Sequence, residues 1–139
     1  MNWKFIMPLL LVICSNIIYH NTAKNTPGAA NPFLSIGISY VISTIITFGL
    51  FFINGGNLGK DIQRLNWTSY ILGIAIVGIE LGYILMYRTG WKVGTSSLIA
   101  NICATTLLIL IGIFWYRELL SLKQVIGIIF CMAGLILIK

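Results

Sequence analysis

The chain has 139 residues, of which 58% are hydrophobic and only 9% are charged, and its mean hydropathy is +0.96. This composition excludes an ordinary soluble domain and indicates an integral membrane protein. The net charge of +6 is distributed over the breaks between apolar runs rather than along one stripe. This distribution argues against nucleic acid as a partner and favours the lipid bilayer.

Five apolar runs, taken in chain order, predict transmembrane helices near residues 3–20, 32–54, 67–87, 95–115 and 122–138. About 20 helical residues cross a hydrocarbon core of about 30 Å, and a helix satisfies its own backbone hydrogen bonds in lipid. The first run resembles a signal peptide, but no convincing small-residue cleavage site follows it. We therefore expect an all-α multi-pass protein of the cell (inner, cytoplasmic) membrane, with a single transmembrane domain over residues 1–139.

The positive charges give little guidance on orientation. If five helices alternate in direction, five cations fall on one side of the membrane and four on the other. The Lys/Arg bias that usually sets topology is therefore almost absent. Two interpretations stay open: a weak preference for the amino end in the cytoplasm, or dual topology, in which copies insert in both directions. The first set is Lys4, Lys60, Arg64, Arg117 and Lys123, and the second is Lys24, Arg88, Lys92 and Lys139.

One carboxylate lies inside the third apolar run. A charge at the position of Glu80 costs about 3 kcal/mol on insertion scales, so this residue is a functional candidate by default. Tyr83, Tyr87 and Trp91 follow it on the same helical face. A carboxylate beside aromatic rings suits an organic cation or amine, and the same group can hold a proton in its place. The alternative is that the aromatic residues are interface anchors and that Glu80 pairs with a polar neighbour.

Small and polar residues recur at four-residue spacing on several of the runs. Such stripes favour close helix packing with interhelical hydrogen bonds, although a polar cavity would have the same pattern. We also expect Asn101 and Ser97 of the fourth run to line the site, because a mid-helix amide needs several hydrogen-bond partners. The residues assigned to packing are Ser39, Ser43, Gly78, Gly82, Gly127 and Gly134.

No arrangement of residues indicates an enzyme. The single histidine, His20, has no aspartate near it in sequence, and Gly55 and Gly56 precede no phosphate-binding motif. The three cysteines lie in apolar runs without metal-ligand spacing. We therefore predict no catalytic residue, no metal and no cofactor.

The carboxy-terminal third has a more specific pattern. Residues 91–101 lead into an apolar helix, and a polar break follows that helix. Residues 119–127 then lead into the last apolar run, and residues 133–137 lie near its end. This pattern resembles the EamA-like repeat of the drug/metabolite transporter superfamily, to which the small multidrug resistance transporters are related. The residues that match the motif are Glu118, Gln124, Gly127 and Gly134.

The chain departs from the family pattern at one position, and the motif does not include Glu80. The family often has a proline in the middle of its fourth helix, where this chain has Cys103-Ala104-Thr105. Glu80 is not part of the motif. It resembles, in role only, the membrane carboxylate of the small multidrug resistance branch, which lies in a different helix.

What the resemblance implies is a fold and a mode of action. Full-length members have two five-helix repeats of inverted topology around one pathway, and this chain supplies one repeat. Two copies inserted in opposite senses would rebuild that pathway, so we expect a homodimer, which is antiparallel if the topology is dual.

We therefore predict an antiporter that exports small organic cations or amine-bearing metabolites against protons by alternating access, as in multidrug efflux. Glu80 would couple the two fluxes, with Tyr83, Tyr87, Asn101 and Ser97 lining the small-molecule site. One alternative is a facilitative carrier of neutral or zwitterionic metabolites, in which Glu80 pairs with a cation such as Arg88. The other alternative is a non-transporting membrane subunit of a larger complex.

Overall fold

The computed structural model describes residues 3–138, apart from the side chains of residues 4, 5, 135, 136 and 138. The Lys4 side chain and Lys139, counted above among the flanking cations, lie outside this described part. The helices are α1 (Trp3–Lys24), α2 (Pro32–Ile53), α3 (Leu58–Asp61), α4 (Trp67–Arg88), α5 (Val93–Phe114) and α6 (Leu122–Ile138), and a 3-10 turn (Ile62–Arg64) follows α3.

The predicted all-α membrane fold is confirmed. Within the described residues, four helices are long and apolar enough to cross a bilayer: Ile6–Lys24 of α1, and α2, α4 and α5 in full. The last helix, α6, has 17 residues and an apolar part at Leu122–Gly134. It is therefore shorter than the usual span of about 20 residues, and its crossing of the membrane stays a prediction.

Two local features were not predicted, and both come from polar side chains. The first helix continues to Lys24, because Asn21 and Thr22 donate from their side chains to carbonyl groups one turn earlier instead of breaking the helix. The short helix α3 is held at its start by Asn57. The Asn57 side chain accepts from the Lys60 amide at 3.3 Å, and the Asp61 carboxylate accepts from the Asn57 amide at 2.9 Å. This reciprocal arrangement satisfies the free N–H groups of a helix start.

The boundaries of α2 follow from local chemistry. The Asn31 side chain accepts from the Phe33 amide at 2.9 Å, and Pro32 occupies the first helical position, where its missing N–H costs nothing. At the other end, Gly55 has a φ of +75°, and its amide donates to the Phe52 carbonyl at 3.0 Å. This left-handed residue reverses the chain and satisfies a terminal carbonyl.

The chain divides into two compact units, Met1–Gly90 and Trp91–Lys139. In the amino-terminal unit, α4 packs against both α1 and α2. Its buried residues include Ile36, Ile84, Tyr87 and His20. Most other large apolar side chains of this unit are exposed, as expected for helices whose remaining surface faces lipid.

In the carboxy-terminal unit, α5 packs against α6, and the Thr106 hydroxyl donates to the Met132 sulfur at 3.5 Å. The connection after α5 turns through Arg117, whose φ is +53°, and the Glu118 amide then donates to the Gly112 carbonyl at 3.0 Å. Gly112 is the glycine that allows a close approach here, because a Cβ on it would lie 2.7 Å from a Glu118 carboxylate oxygen. Glu118, one of the residues that match the motif, therefore lies against the end of α5, the helix that precedes it.

Candidate functional site

Glu80 lies on α4, the helix that packs against both other long helices of the amino-terminal unit. It is thirteen residues from the start of α4 and eight from its end, which places it about 4 Å beyond the middle of the helix. The side chain is half-buried, and it makes no hydrogen bond or ion pair with any residue that the structure describes. The carboxyl group is therefore a polar group near the centre of a membrane span that still lacks a partner.

Two tyrosines from the neighbouring helices lie close enough to interact electrostatically with Glu80. They are Tyr19 of α1 and Tyr40 of α2, and both phenolic oxygens are buried with no hydrogen-bond partner among the described residues. A buried hydroxyl without a partner loses about 1–3 kcal/mol relative to one that is satisfied. Three neighbouring helices therefore each place a polar group without a described hydrogen-bond partner in the same region of the amino-terminal unit, and such groups call for an explanation such as a ligand.

An aromatic cluster adjoins this region on the side of the α1 and α4 carboxyl ends. Tyr83 and Tyr87 stack with their ring centroids 6.0 Å apart, and the His20 ring meets Tyr83 edge-on at 4.6 Å. The Tyr87 hydroxyl and His20 Nδ1 form a hydrogen bond of 2.8 Å, and these two residues are only 4% and 6% exposed. Tyr19 joins the cluster through an edge contact with Tyr83 at 5.9 Å. The cluster is thus continuous from Tyr87 to the neighbourhood of Glu80.

The predicted aromatic face is correct for Tyr83 and Tyr87 and wrong for Trp91. The helix α4 ends at Arg88, and Gly90 turns the chain with a φ of +95°. Trp91 therefore lies beyond the end of this helix. The spacing of the residues does not reveal this end of the helix, because a helical period can be counted through Gly90 even though the glycine ends the helix.

The suggested pair between Glu80 and Arg88 is not formed. The Arg88 guanidinium donates instead to the carbonyl oxygens of Ala30 at 2.6 Å and Pro27 at 3.2 Å, both in the α1–α2 connection. Lys24 at the end of α1 donates to the Tyr87 carbonyl at 3.4 Å and lies 5.8 Å from the centre of the Tyr87 ring. These cations tie the two helix ends together near the membrane surface.

Asn101 and Ser97 lie in the other unit, on α5. Asn101 is exposed and lines a cavity of about 420 Å³ between α5 and α6, together with Gln124 and Gly127. The Ser97 hydroxyl donates to the Gly94 carbonyl of its own helix at 3.3 Å. The predicted stripe thus lines a cavity at Asn101 and is satisfied within the helix at Ser97. Their membership of a site with Glu80 stays a prediction.

The packing stripes make no close contacts between the described helices. The Ser39 hydroxyl donates to Ser35 of its own helix at 3.1 Å, and Ser43 is exposed. A Cβ added at any of the four glycines assigned to packing would meet no described atom within 4 Å. Contacts of these residues with a second chain stay a prediction. The four glycines are Gly78, Gly82, Gly127 and Gly134.

Tyr19, Tyr40 and His20 are polar residues of the candidate site that the sequence reasoning did not include. Each is a polar side chain inside or at the end of an apolar run, which is the signal that identified Glu80. For tyrosine this signal is weak, because amphipathic aromatic residues are common near membrane interfaces. Chemically, the region offers one carboxyl group, two free hydroxyls and several ring faces. Among the described residues, no group of His, Cys, Asp and Glu is arranged to hold a metal.

A comparison with known protein families covers nearly the whole chain. Residues 9–139 match the sequence profile of the family described as EamA-like transporter family. The resemblance inferred from the last two helices is thereby confirmed, and the match extends over Glu80 and its neighbouring helices as well. Searches of curated proteins and of solved structures found no match.

Proposed function

Because the chain belongs to the EamA-like transporter family of the drug/metabolite transporter superfamily, we propose that it is a secondary active transporter that exchanges small organic cations or amine-bearing metabolites for protons. The family is one of multi-pass membrane transporters and not of enzymes. We place the protein in the cytoplasmic membrane, as a multidrug-efflux type of antiporter that works in the export direction.

The observation that carries this proposal is the Glu80 carboxyl group without a described hydrogen-bond partner, within electrostatic range of the buried hydroxyls of Tyr19 and Tyr40. An ammonium group has a positive charge and up to three N–H donors, so it satisfies the carboxylate and a phenolic oxygen at the same time. The nearby ring faces add cation–π attraction, which grows when the cation is removed from water. A neutral sugar or a free anion would not compensate the carboxylate.

Exchange follows from competition for one group. When the amine leaves, Glu80 lies near the middle of a membrane span, where an uncompensated charge costs about 3 kcal/mol or more. Uptake of a proton removes that charge, so the empty carrier returns in the protonated form and the loaded carrier returns with the cation. The two fluxes are then coupled through Glu80 alone, with Tyr83 and Tyr87 as the wall of the pathway.

We further propose that the transporting unit is a homodimer. The match over residues 9–139 supports a single domain that is one repeat, whereas a complete pathway in this superfamily needs two. The nearly even distribution of Lys and Arg between the two membrane sides is compatible with antiparallel insertion. In such a dimer, Asn101 and Ser97 of α5 would complete the site together with Glu80.

Transport by purified protein in proteoliposomes tests the proposal. Ethidium and a primary amine serve as probes, and a pH gradient is imposed across the vesicle membrane. We expect the wild-type protein to move these probes when the gradient is present, and Glu80→Gln to abolish gradient-driven movement while it still folds. The matched control is Asp61→Asn, which changes the same group in the exposed connection after α2, where Asp61 lies 3.6 Å from Arg64.

Each of the other outcomes would favour a different function for this protein. Gradient-driven transport by Glu80→Gln at the wild-type rate would remove Glu80 from the mechanism. Transport that ignores the pH gradient, and that prefers neutral or zwitterionic solutes, would favour the facilitative carrier. Inactivity of the wild-type protein, with obligate copurification of another membrane protein, would favour the subunit role.

A further inference from the structure

A polar cavity of about 410 Å³ lies where α1 and α4 both end, on the far side of the His20–Tyr87 pair from Glu80. Its walls include Lys24, Thr26 and Arg88, and most of its surface is polar. The cavity is partly open to its surroundings, and its volume is well above the space that one bridging water needs. The cavity therefore has room for a ligand group and not merely for a bridging water.

The position of the cavity along the helices indicates which groups of the bilayer lie next to it. The parts of α1 and α4 that are long and apolar enough to span a membrane end at Lys24 and Arg88, which puts the cavity at the expected edge of the hydrocarbon region. This edge is the depth at which the headgroups of the bilayer, and hence their phosphate groups, are concentrated.

Arg88, which lines this cavity, uses only some of its hydrogen-bond donors on described residues. One of its terminal nitrogens, Nη2, donates to the carbonyls of Ala30 and Pro27, which fixes the plane of the guanidinium. Its Nε atom is buried without a hydrogen-bond partner in the described part of the chain. Arg88 also forms no ion pair with a described residue. A planar guanidinium that is held in place by two backbone carbonyls has the geometry that matches the oxygen atoms of a phosphate group, although its Nε atom is itself shielded from solvent.

The local charge favours an anion even after the helix ends are counted. Each helix carboxyl end contributes about half of a negative charge, so the two ends together contribute about one. Lys24 and Arg88 line the cavity and bring two cationic groups to it, which exceeds the combined partial charge of the two helix ends. Glu80 does not neutralise it, because it is eight residues back along α4, about 12 Å by helix rise, and the buried His20–Tyr87 pair lies between them.

We propose that this cavity is a binding site for a phosphate group at the membrane surface, with Arg88 and Lys24 as its cationic ligands. The phosphate belongs either to an anionic lipid headgroup or to a soluble phosphate compound. This site is separate from the transport proposal, because it needs neither Glu80 nor movement of substrate.

Ligand-induced stabilisation of the full chain in a neutral detergent tests the proposal. The probes are short-chain phosphatidic acid, short-chain phosphatidylcholine and inorganic phosphate, and the readout is the unfolding midpoint at increasing probe concentration. We expect phosphatidic acid to raise the midpoint of the wild-type protein at lower concentration than phosphatidylcholine does. Charge-assisted hydrogen bonds are strong enough for Arg88→Gln and Lys24→Gln each to weaken this binding about tenfold or more.

The matched control is Lys60→Gln, which removes one positive charge from α3, outside the cavity. It should leave the affinity unchanged. Arg88→Gln also removes two hydrogen bonds to the α1–α2 connection, whereas Lys24→Gln leaves them intact, so a loss in the lysine variant cannot be attributed to that connection.

The source of the phosphate is read from the same titrations. If inorganic phosphate stabilises the protein and both cavity variants lose the effect, the site takes soluble phosphate compounds. If only phosphatidic acid does so, the site takes lipid headgroups. The proposal is overturned if no probe stabilises the wild-type protein, or if Lys60→Gln weakens binding as much as the cavity variants do.

Discussion

Replacement of Tyr87 by phenylalanine tests whether the two long helices α1 and α4 are joined by the hydrogen bond at their carboxyl ends. The Tyr87 hydroxyl and His20 Nδ1 are 2.8 Å apart, and both residues are buried. Phenylalanine keeps the ring that stacks on Tyr83, so the substitution removes one oxygen atom and little packing.

The magnitude follows from the burial of both partners. The hydrogen bond itself contributes about 1 kcal/mol, and an imidazole nitrogen left buried without a partner adds a desolvation cost. We therefore expect Tyr87→Phe to lower the free energy of unfolding by about 1–3 kcal/mol. The effect would be much smaller if water reached His20, but this residue is only 6% exposed.

The assay is titration of the detergent-solubilised protein with sodium dodecyl sulfate, from which the free energy of unfolding is obtained. Tyr70→Phe is the matched control, because Tyr70 lies on the same helix and is 70% exposed; we expect it to change stability by less than about 0.5 kcal/mol. The double variant His20→Leu/Tyr87→Phe removes both polar partners. It should cost less than the sum of the single variants, by about 0.5–3 kcal/mol. Equal stability of Tyr87→Phe and Tyr70→Phe would refute the reasoning.

Two predictions on the chain turns need only the same unfolding assay. Gly55 has a φ of +75° at the end of α2, so Gly55→Ala should destabilise the protein by about 1 kcal/mol, whereas Gly28→Ala, in the α1–α2 connection without a positive φ, should have little effect; similar values for the two would contradict the prediction. Arg117 has a φ of +53° without being glycine, so Arg117→Gly should raise stability by up to about 1 kcal/mol, and Arg117→Ala should not. A gain in both Arg117 variants would show that the removed charge matters and not the backbone.

Local chemistry explains why the helices could be predicted well. The position of α2 follows from Asn31 and Pro32 at its start and from Gly55 beyond its end, all of which act on neighbouring backbone groups. Hydropathy then separates membrane spans from connections, because each residue in lipid contributes its own transfer free energy. The short helix α3 escaped prediction because four residues give too little pattern to recognise, although its Asn57 cap is visible in the sequence.

The candidate site was predicted only in part. Glu80 could be identified from the sequence because the cost of a carboxylate in lipid is a property of that residue alone. Tyr83 and Tyr87 followed from helical spacing on the same element. Trp91 was placed on the same helical face but lies beyond the helix, since the continuation of a helix through Gly90 depends on backbone conformation rather than spacing.

The sequence by itself determined that this chain is a helical membrane protein of a transporter family, where its helices lie and which residue carries the unusual charge. Only the tertiary structure decided what surrounds that charge. His20 and Tyr87 are hydrogen-bonded although they are 67 residues apart in the chain, and Tyr19 and Tyr40 of two other helices lie within electrostatic range of Glu80. The physical reason is that membrane helices are apolar on every side, so no polar face marks which side is buried. Helix rotation and crossing then choose the neighbours, and these depend on contacts between distant parts of the chain.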